Sequence, residues 1–270
     1  MGAGEAEAGG VGMSFLQQAL DYIFTADNWG GSAGLGARIV EHLQYTGIAV
    51  AVAAVIAVPI GLVIGHTGRG SFLVVSTVNA LRALPTLGVL LLGVLMWGLG
   101  LLPPTVALAL LAIPPLLAGT YAGIANVDPK MTDAARSMGM SERRVLTRVE
   151  VPNALPLILG GLRTATLQVV ATATVAAYAS LGGLGRYLID GIKVRQFYLA
   201  LVGALLVTVL ALLLDGLLAL VVWASMPGSG RFRRRMPQPL LDDEVRVDTG
   251  TRSRTPDYSG EQSSLTVEGW

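Results

Sequence analysis

Three charged side chains stand where charge is costly. Arg82, Arg163 and Asp215 each interrupt an apolar run long enough to cross a bilayer, and an uncompensated charge there costs several kcal/mol. The chemistry open to them is ion pairing; the alternative is an ion or proton relay, which a single carboxylate supports thinly. Given the orientation argued below, Arg163 lies about seven and Asp215 about nine residues from the cytoplasmic ends of their runs. At 1.5 Å rise per residue those depths are roughly 11 and 13 Å. The two therefore share a level, and an Arg163–Asp215 structural pair is expected. Arg82 falls at a similar depth, where it would cap carbonyls freed at Pro85.

Other chemistry is missing. The two lysines, Lys130 and Lys193, are not in a G-x-x-x-x-G-K-[ST] pattern, so no P-loop is present to hold ATP. Cysteine is absent, which removes disulfides, thiol chemistry and cysteine zinc sites. His42 and His66 are single histidines near span ends and read as interfacial rather than as metal ligands. The run Gly182–Gly185 follows an apolar span and lacks the βαβ setting of a dinucleotide fingerprint, so it reads as loop and turn. No catalytic residue and no metal ligand are assigned.

A second kind of chemistry, docking, is written in Asp128–Pro152, DPKMTDAARSMGMSERRVLTRVEVP. It is the longest polar interruption between spans. Asp128 followed by Pro129 reads as an N-cap with proline at the first helical position. Met131, Ala134, Ala135 and Met138 then give one apolar face of a short helix, which Gly139 ends. Ser141 can cap a second short helix that gathers Val145, Leu146 and Val149, turns Arg143, Arg144 and Arg148 elsewhere, and closes at Pro152. A soft apolar stripe with a basic rim suits another protein; the plainer reading is an ordinary basic loop.

The elements that must position these residues are membrane spans. The chain has 270 residues, is 53% hydrophobic and 14% charged, and carries a net charge of +1 with mean hydropathy +0.62. Soluble domains carry about 25% charged residues, so this is an all-α membrane protein, with no basic field to attract nucleic acid. Five spans of the length a bilayer needs are expected: Gln44–Gly65 with Pro59 inside it, Phe72–Trp97 interrupted by Arg82 and Pro85, Thr105–Ile124, Leu155–Leu181, and Tyr198–Ala224. The fourth is crowded with Gly, Ala, Thr and Ser and should be interior, at a pathway or subunit interface. The Leu/Val-rich fifth should face lipid. Glycine-rich 182–197 should be a loop.

Residues 1–40 form an extracytoplasmic N-terminal segment in which Phe15–Phe24 is a short amphipathic stretch. The first thirty-seven residues hold no Lys or Arg, so a secretory leader is not expected. Residues 41–226 form the transmembrane domain, and 227–270 a polar, disordered cytoplasmic tail. The tail opens on Arg231–Arg235, a basic anchor for anionic lipid, with ionic-strength sensing as the alternative. Orientation follows from charge. With the N-terminus outside, inner segments hold Arg69, Lys130, Arg136, Arg143, Arg144, Arg148, Arg231, Arg233, Arg234 and Arg235. Outer ones hold only Arg38, Arg186, Lys193 and Arg195, so the N-terminus is expected out and the C-terminus in.

The polar segment also resembles the cytoplasmic motif E-A-A-x3-G-x9-I-x-L-P of type I ABC importer permeases. Asp133-Ala134-Ala135, Gly139, Val149, Val151 and Pro152 keep its spacing, with Asp for Glu, Val for Ile and Val for Leu. Residues 41–225 are similar to permeases for glycine betaine, carnitine, choline or proline betaine, through 41–62, 81–92, 118–140 and 149–192. Methionine-type permeases share several of these features. The resemblance implies that Asp133, Ala134, Ala135, Gly139, Val149, Val151 and Pro152 form an ATPase-coupling segment. It also implies a second permease copy or paralogue, a cytoplasmic ABC ATPase that binds the ATP, and an extracytoplasmic solute-binding protein. The chain itself would need no cofactor and perform no catalysis.

Quaternary ammonium solutes are held in aromatic cages. With 6% aromatic residues, mostly scattered, the chain shows no such cage, and selection is expected to rest with the binding protein. A secondary carrier would need midplane coupling-ion residues and usually repeats, none of which is evident. A scaffold would not need the small-residue fourth span.

Overall fold

The computed structural model describes residues 3–179 and 182–226, whose regular structure is entirely helical. The expected tail and its arginine cluster lie outside the described residues. The helices are α1 (Ala3–Phe24), α2 (Leu35–Thr67), α3 (Ser71–Arg82), α4 (Thr86–Trp97), α5 (Leu102–Ala125), α6 (Pro129–Ser137), α7 (Glu142–Val145), α8 (Val151–Thr172), α9 (Gly185–Lys193) and α10 (Phe197–Ala224). Four helical stretches are long and apolar enough to cross a membrane, and a fifth is reached if bent α3 and α4 count as one span.

The core is a stack of three helices brought close by small residues. Along α2, Ala49, Ala53, Ala57, Gly61 and Gly65 recur every fourth position and line one face. A Cβ added at Gly61 would lie 2.7 Å from Thr120 Cβ, and one at Gly65 would lie 2.7 Å from Ile124 Cβ. On the other side of α5, Gly119 meets Gly161 of α8, where an added Cβ would approach the Gly161 Cα to 2.8 Å. Small side chains let backbones touch where lipid provides no hydrophobic drive. Ala112, Leu116, Ala165 and Val169 fill the space around these contacts.

The most enclosed span within the chain is therefore the third. In α5, 56% of the apolar window is buried, against 22% for the stretch containing α8 and 0% for α10. The small residues of the fourth span serve one face, towards α5; those of α5 serve two. The exposed Leu212, Leu213, Leu217 and Leu220 of α10 fit its expected lipid-facing character.

The interruption at Arg82 and Pro85 is a full break, with an 80° bend between α3 and α4. Proline disfavours helical geometry at the preceding residue, here Leu84, and Pro85 takes an extended ψ of 111° before α4 begins. Pro59, Pro114 and Pro115, by contrast, stay inside continuous helices.

Several other boundaries differ from expectation. The second short helix does not close at Pro152: α7 runs through a π turn, Leu146–Glu150, directly into α8. Proline lacks an N–H and is tolerated in a first turn, and the π turn gives its ring room. The expected loop at 182–197 contains α9, whose faces alternate strongly between apolar and charged residues. The amphipathic stretch Phe15–Phe24 is the end of α1, which lies along α10, with Ala19 buried beside Val202 and Leu206.

Candidate functional site

The segment Asp128–Pro152 is positioned by its caps. The Asp128 carboxylate accepts from the Lys130 N–H at 2.9 Å, and Pro129 occupies the first turn of α6. Gly139 has φ +81° and ends the helix, with its N–H bonded to Arg136 O and the Met140 N–H bonded to Ala135 O. A left-handed residue after a helix is the usual place for glycine.

The inward face of α6 is Thr132 and Ala135, not the full stripe expected from periodicity. Met131, Ala134 and Met138 are exposed, Met138 by 72%. The stripe is thus split: Ala135 anchors the helix and the others face outwards. Val145 is fully buried, Val149 and Val151 are half-buried, and Asp133, Pro152, Arg143, Arg144 and Arg148 are exposed.

A chain of charged groups ties this segment to the end of α2. Arg136 donates to both oxygens of Glu142, from Nε at 3.0 Å and Nη2 at 3.2 Å, and Nη1 reaches Asp133 at 3.3 Å. Glu142 in turn lies 3.3 Å from His66 Nε2, while His66 Nδ1 lies 2.7 Å from Glu150. Hydrogen bonding from Arg136 holds the Glu142 carboxyl below the usual carboxylate range, with Arg136 and His66 charges adding to it. Sequence reasoning missed this cluster. Its partners come from distant stretches, and only the presence of a histidine at the end of a span hinted at it.

Between the spans, Arg163 and Asp215 meet in a bidentate pair, Nε to Oδ1 at 2.6 Å and Nη2 to Oδ2 at 2.7 Å. Arg163 belongs to α8 and Asp215 to α10, so the pair joins the two helices. Arg82 ends α3, is exposed, and makes no hydrogen bond or ion pair among the described residues. The expected capping role is corrected: Leu81 O, the carbonyl four residues before Pro85, accepts instead from the Leu84 N–H at 3.3 Å.

At the other end of the bundle, α2 is fastened to the glycine run. Glu41 accepts from the Gly183 N–H at 2.7 Å and from Arg38 at 2.8 Å. Gly183 adopts φ +77° there. His42 is not interfacial but fully buried, with Nε2 2.9 Å from Val170 O. The first span begins at Leu35, nine residues before its expected start, which carries His42 inside the helix packing.

Beside this fastening lies a cavity of about 280 Å³ lined by Tyr22, Ala33, Arg38, Arg186, Tyr187, Asp190 and Leu199. Tyr22 packs against Tyr187 and Tyr198 with ring centroids 6.2 and 6.3 Å away. Burial pushes the Tyr187 hydroxyl up to about 12, and it donates to Ala33 O at 3.0 Å. Tyrosines and a carboxylate suit a quaternary ammonium, and guanidinium groups suit a carboxylate.

A family model described as "Binding-protein-dependent transport system inner membrane component" matches residues 57–222. The chain belongs to this family. The permease is 35% identical over 179 residues to the glycine betaine/carnitine/choline transport system permease protein OpuCB of Bacillus subtilis, covering 66% of this chain and 82% of that one. It is 32% identical over 194 residues to the carnitine transport permease protein OpuCB of Listeria monocytogenes, covering 72% and 89%. A chain of the MetNI methionine ABC transporter, in an inward-facing conformation, shares the fold with a TM-score of 0.63 at 20% identity, over 71% of this chain and 96% of that one. The permease is accordingly a multi-pass membrane transport subunit and not an enzyme. ATP hydrolysis belongs to a separate subunit, and the family name itself supplies a binding protein.

Proposed function

We propose that this permease forms the membrane pathway of an ATP-driven importer of compatible solutes such as glycine betaine, choline or carnitine, moved by alternating access. The observation that carries this reading is its identity of 31–35% to permeases whose names specify those solutes, along most of their length. The cavity with Tyr22, Tyr187, Arg38, Arg186 and Asp190 supports it, since a zwitterion with a quaternary ammonium needs groups of both kinds. The fold shared with a methionine transporter says nothing of the solute.

In this reading the N-terminus is outside and the C-terminus inside, as the arginine distribution favours. Asp128–Pro152 then faces the cytoplasm as the ATPase-coupling segment. Its exposed Met131, Ala134 and Met138 would meet the ATPase, with Arg143, Arg144 and Arg148 as the basic rim. Asp133, Ala134, Ala135, Gly139, Val149, Val151 and Pro152 set its geometry. The permease pairs with a second copy or a paralogue and receives solute from an extracytoplasmic binding protein.

Two measurements test the reading. Uptake under salt stress should be suppressed by excess glycine betaine and not by methionine; the reverse would overturn the solute assignment. The ATPase subunit should co-purify with the permease, and deletion of Asp133–Gly139 should abolish that; retention would overturn the coupling assignment.

A further inference from the structure

His66 stands in the last turn of α2 with a carboxylate at each ring nitrogen: Glu150 at 2.7 Å from Nδ1 and Glu142 at 3.3 Å from Nε2. A neutral imidazole has one N–H and one lone pair. Only the protonated ring can donate to both carboxylates; a neutral ring must turn a lone pair towards one of them.

Which contact gives way is decided by burial. The Glu150 side chain is 6% exposed and His66 is its hydrogen-bond partner, whereas the Glu142 side chain is 59% exposed and already holds Arg136. Leaving a buried carboxylate unpaired costs more than releasing an exposed one to water. The neutral ring therefore keeps its proton on Nδ1 for Glu150 and repels Glu142.

Among the described residues, no other charged group hydrogen-bonds or pairs with the ring. Arg136 stands behind Glu142, and Asp133 behind Arg136. On the α5 side, this end of α2 meets Ile124 and the Tyr121 backbone. Arg69, in the turn after α2, makes no side-chain contact with the ring.

We propose that His66 is a positioning residue, a protonation-dependent clasp between the first span and the Arg136–Glu142 part of the polar segment. Protonated, it binds that segment and Glu150 together. Neutral, it stays on Glu150 and releases Glu142. This rests on the reading of Asp128–Pro152 as the ATPase-coupling segment, and it gives the importer a dependence on internal pH. Less solute should therefore move per ATP as internal pH rises.

The test uses the whole importer, with ATPase and binding protein, in proteoliposomes whose internal pH is set from about 5.5 to 8.5. Glycine betaine uptake and ATP hydrolysis are measured together, so that pH effects on the ATPase alone divide out. The wild-type ratio should fall about two- to fivefold, the range an exposed charge contact supports. His66→Gln keeps a donor for Glu150 but has no proton to lose, and its ratio should be flat at the alkaline wild-type level. Glu142→Gln removes the repelled charge and should also flatten the profile. A flat wild-type profile, or a slope that survives in both variants, overturns the clasp. If the ATPase still co-purifies after deletion of Asp133–Gly139, the coupling reading itself has failed; a flat profile with that co-purification lost sinks the clasp alone.

Discussion

Arg163 and Asp215 satisfy each other with two hydrogen bonds, whereas His66 shares two carboxylates of which one, Glu142, is also held by Arg136. The first is a closed pair joining two apolar helices. The second is an open chain running from the end of α2, through Glu142 and Arg136, to Asp133. A closed pair between spans has no substitute partner and holds one arrangement. An open chain in half-exposed surroundings can pass a contact from one member to the next. The difference separates a fixture from a coupling.

The comparison can be broken most sharply at the closed pair. Asp215→Ala strands Arg163 in an apolar span and should produce the largest loss of folded, detergent-stable permease, read as thermal midpoint and yield. The charge swap, Arg163→Asp with Asp215→Arg, should recover much of it. If the swap restores no more function than the single changes, the pair is not what matters.

Gly139→Val comes next. No atom would lie within 4 Å of an added Cβ, so the penalty is backbone strain at φ +81°, about 1–2 kcal/mol. Insertion and folding should survive while uptake falls against ATP hydrolysis. Normal transport in this variant would show that the turn between α6 and α7 is not needed.

Tyr187→Ala in the cavity at the other end should raise the KM for glycine betaine about two- to fivefold, the size of an exposed cation–π contact, with little change in ATP hydrolysis. An unchanged KM would remove the cavity from the solute path. The smallest effect concerns Glu142. Its pKa is lowered on folding, so its stabilising contribution is present above the ordinary carboxylate range and is lost as pH falls through the lowered value. Arg136→Gln should weaken that acid-side dependence of the thermal midpoint; an unchanged acid limb would mean that Arg136 does not contribute to it.

What the sequence made legible was local or periodic. Asp128, Pro129 and Gly139 bracket α6 because caps act within a few residues. Arg163 and Asp215 could be matched by depth because helical rise is constant. The π turn at Leu146–Glu150 could not be read, since Pro152 ends a helix in one setting and opens one in another. The meeting of His66 with Glu150, 84 residues away, leaves no local trace. Nor does the gathering of Tyr22, Tyr187 and Tyr198, which composition alone presents as scattered aromatics.

The glycine contacts on both faces of α5 have a mechanical meaning. With Gly61 and Gly65 seated on the Thr120 and Ile124 side chains, and Gly119 against the Gly161 backbone, little room is left for α2 or α8 to slide or roll on α5. Close-packed interfaces of this kind transmit displacement rather than absorb it. Packed this closely, the three helices link the His66 end of α2 to the Glu41–Gly183 fastening at its other end.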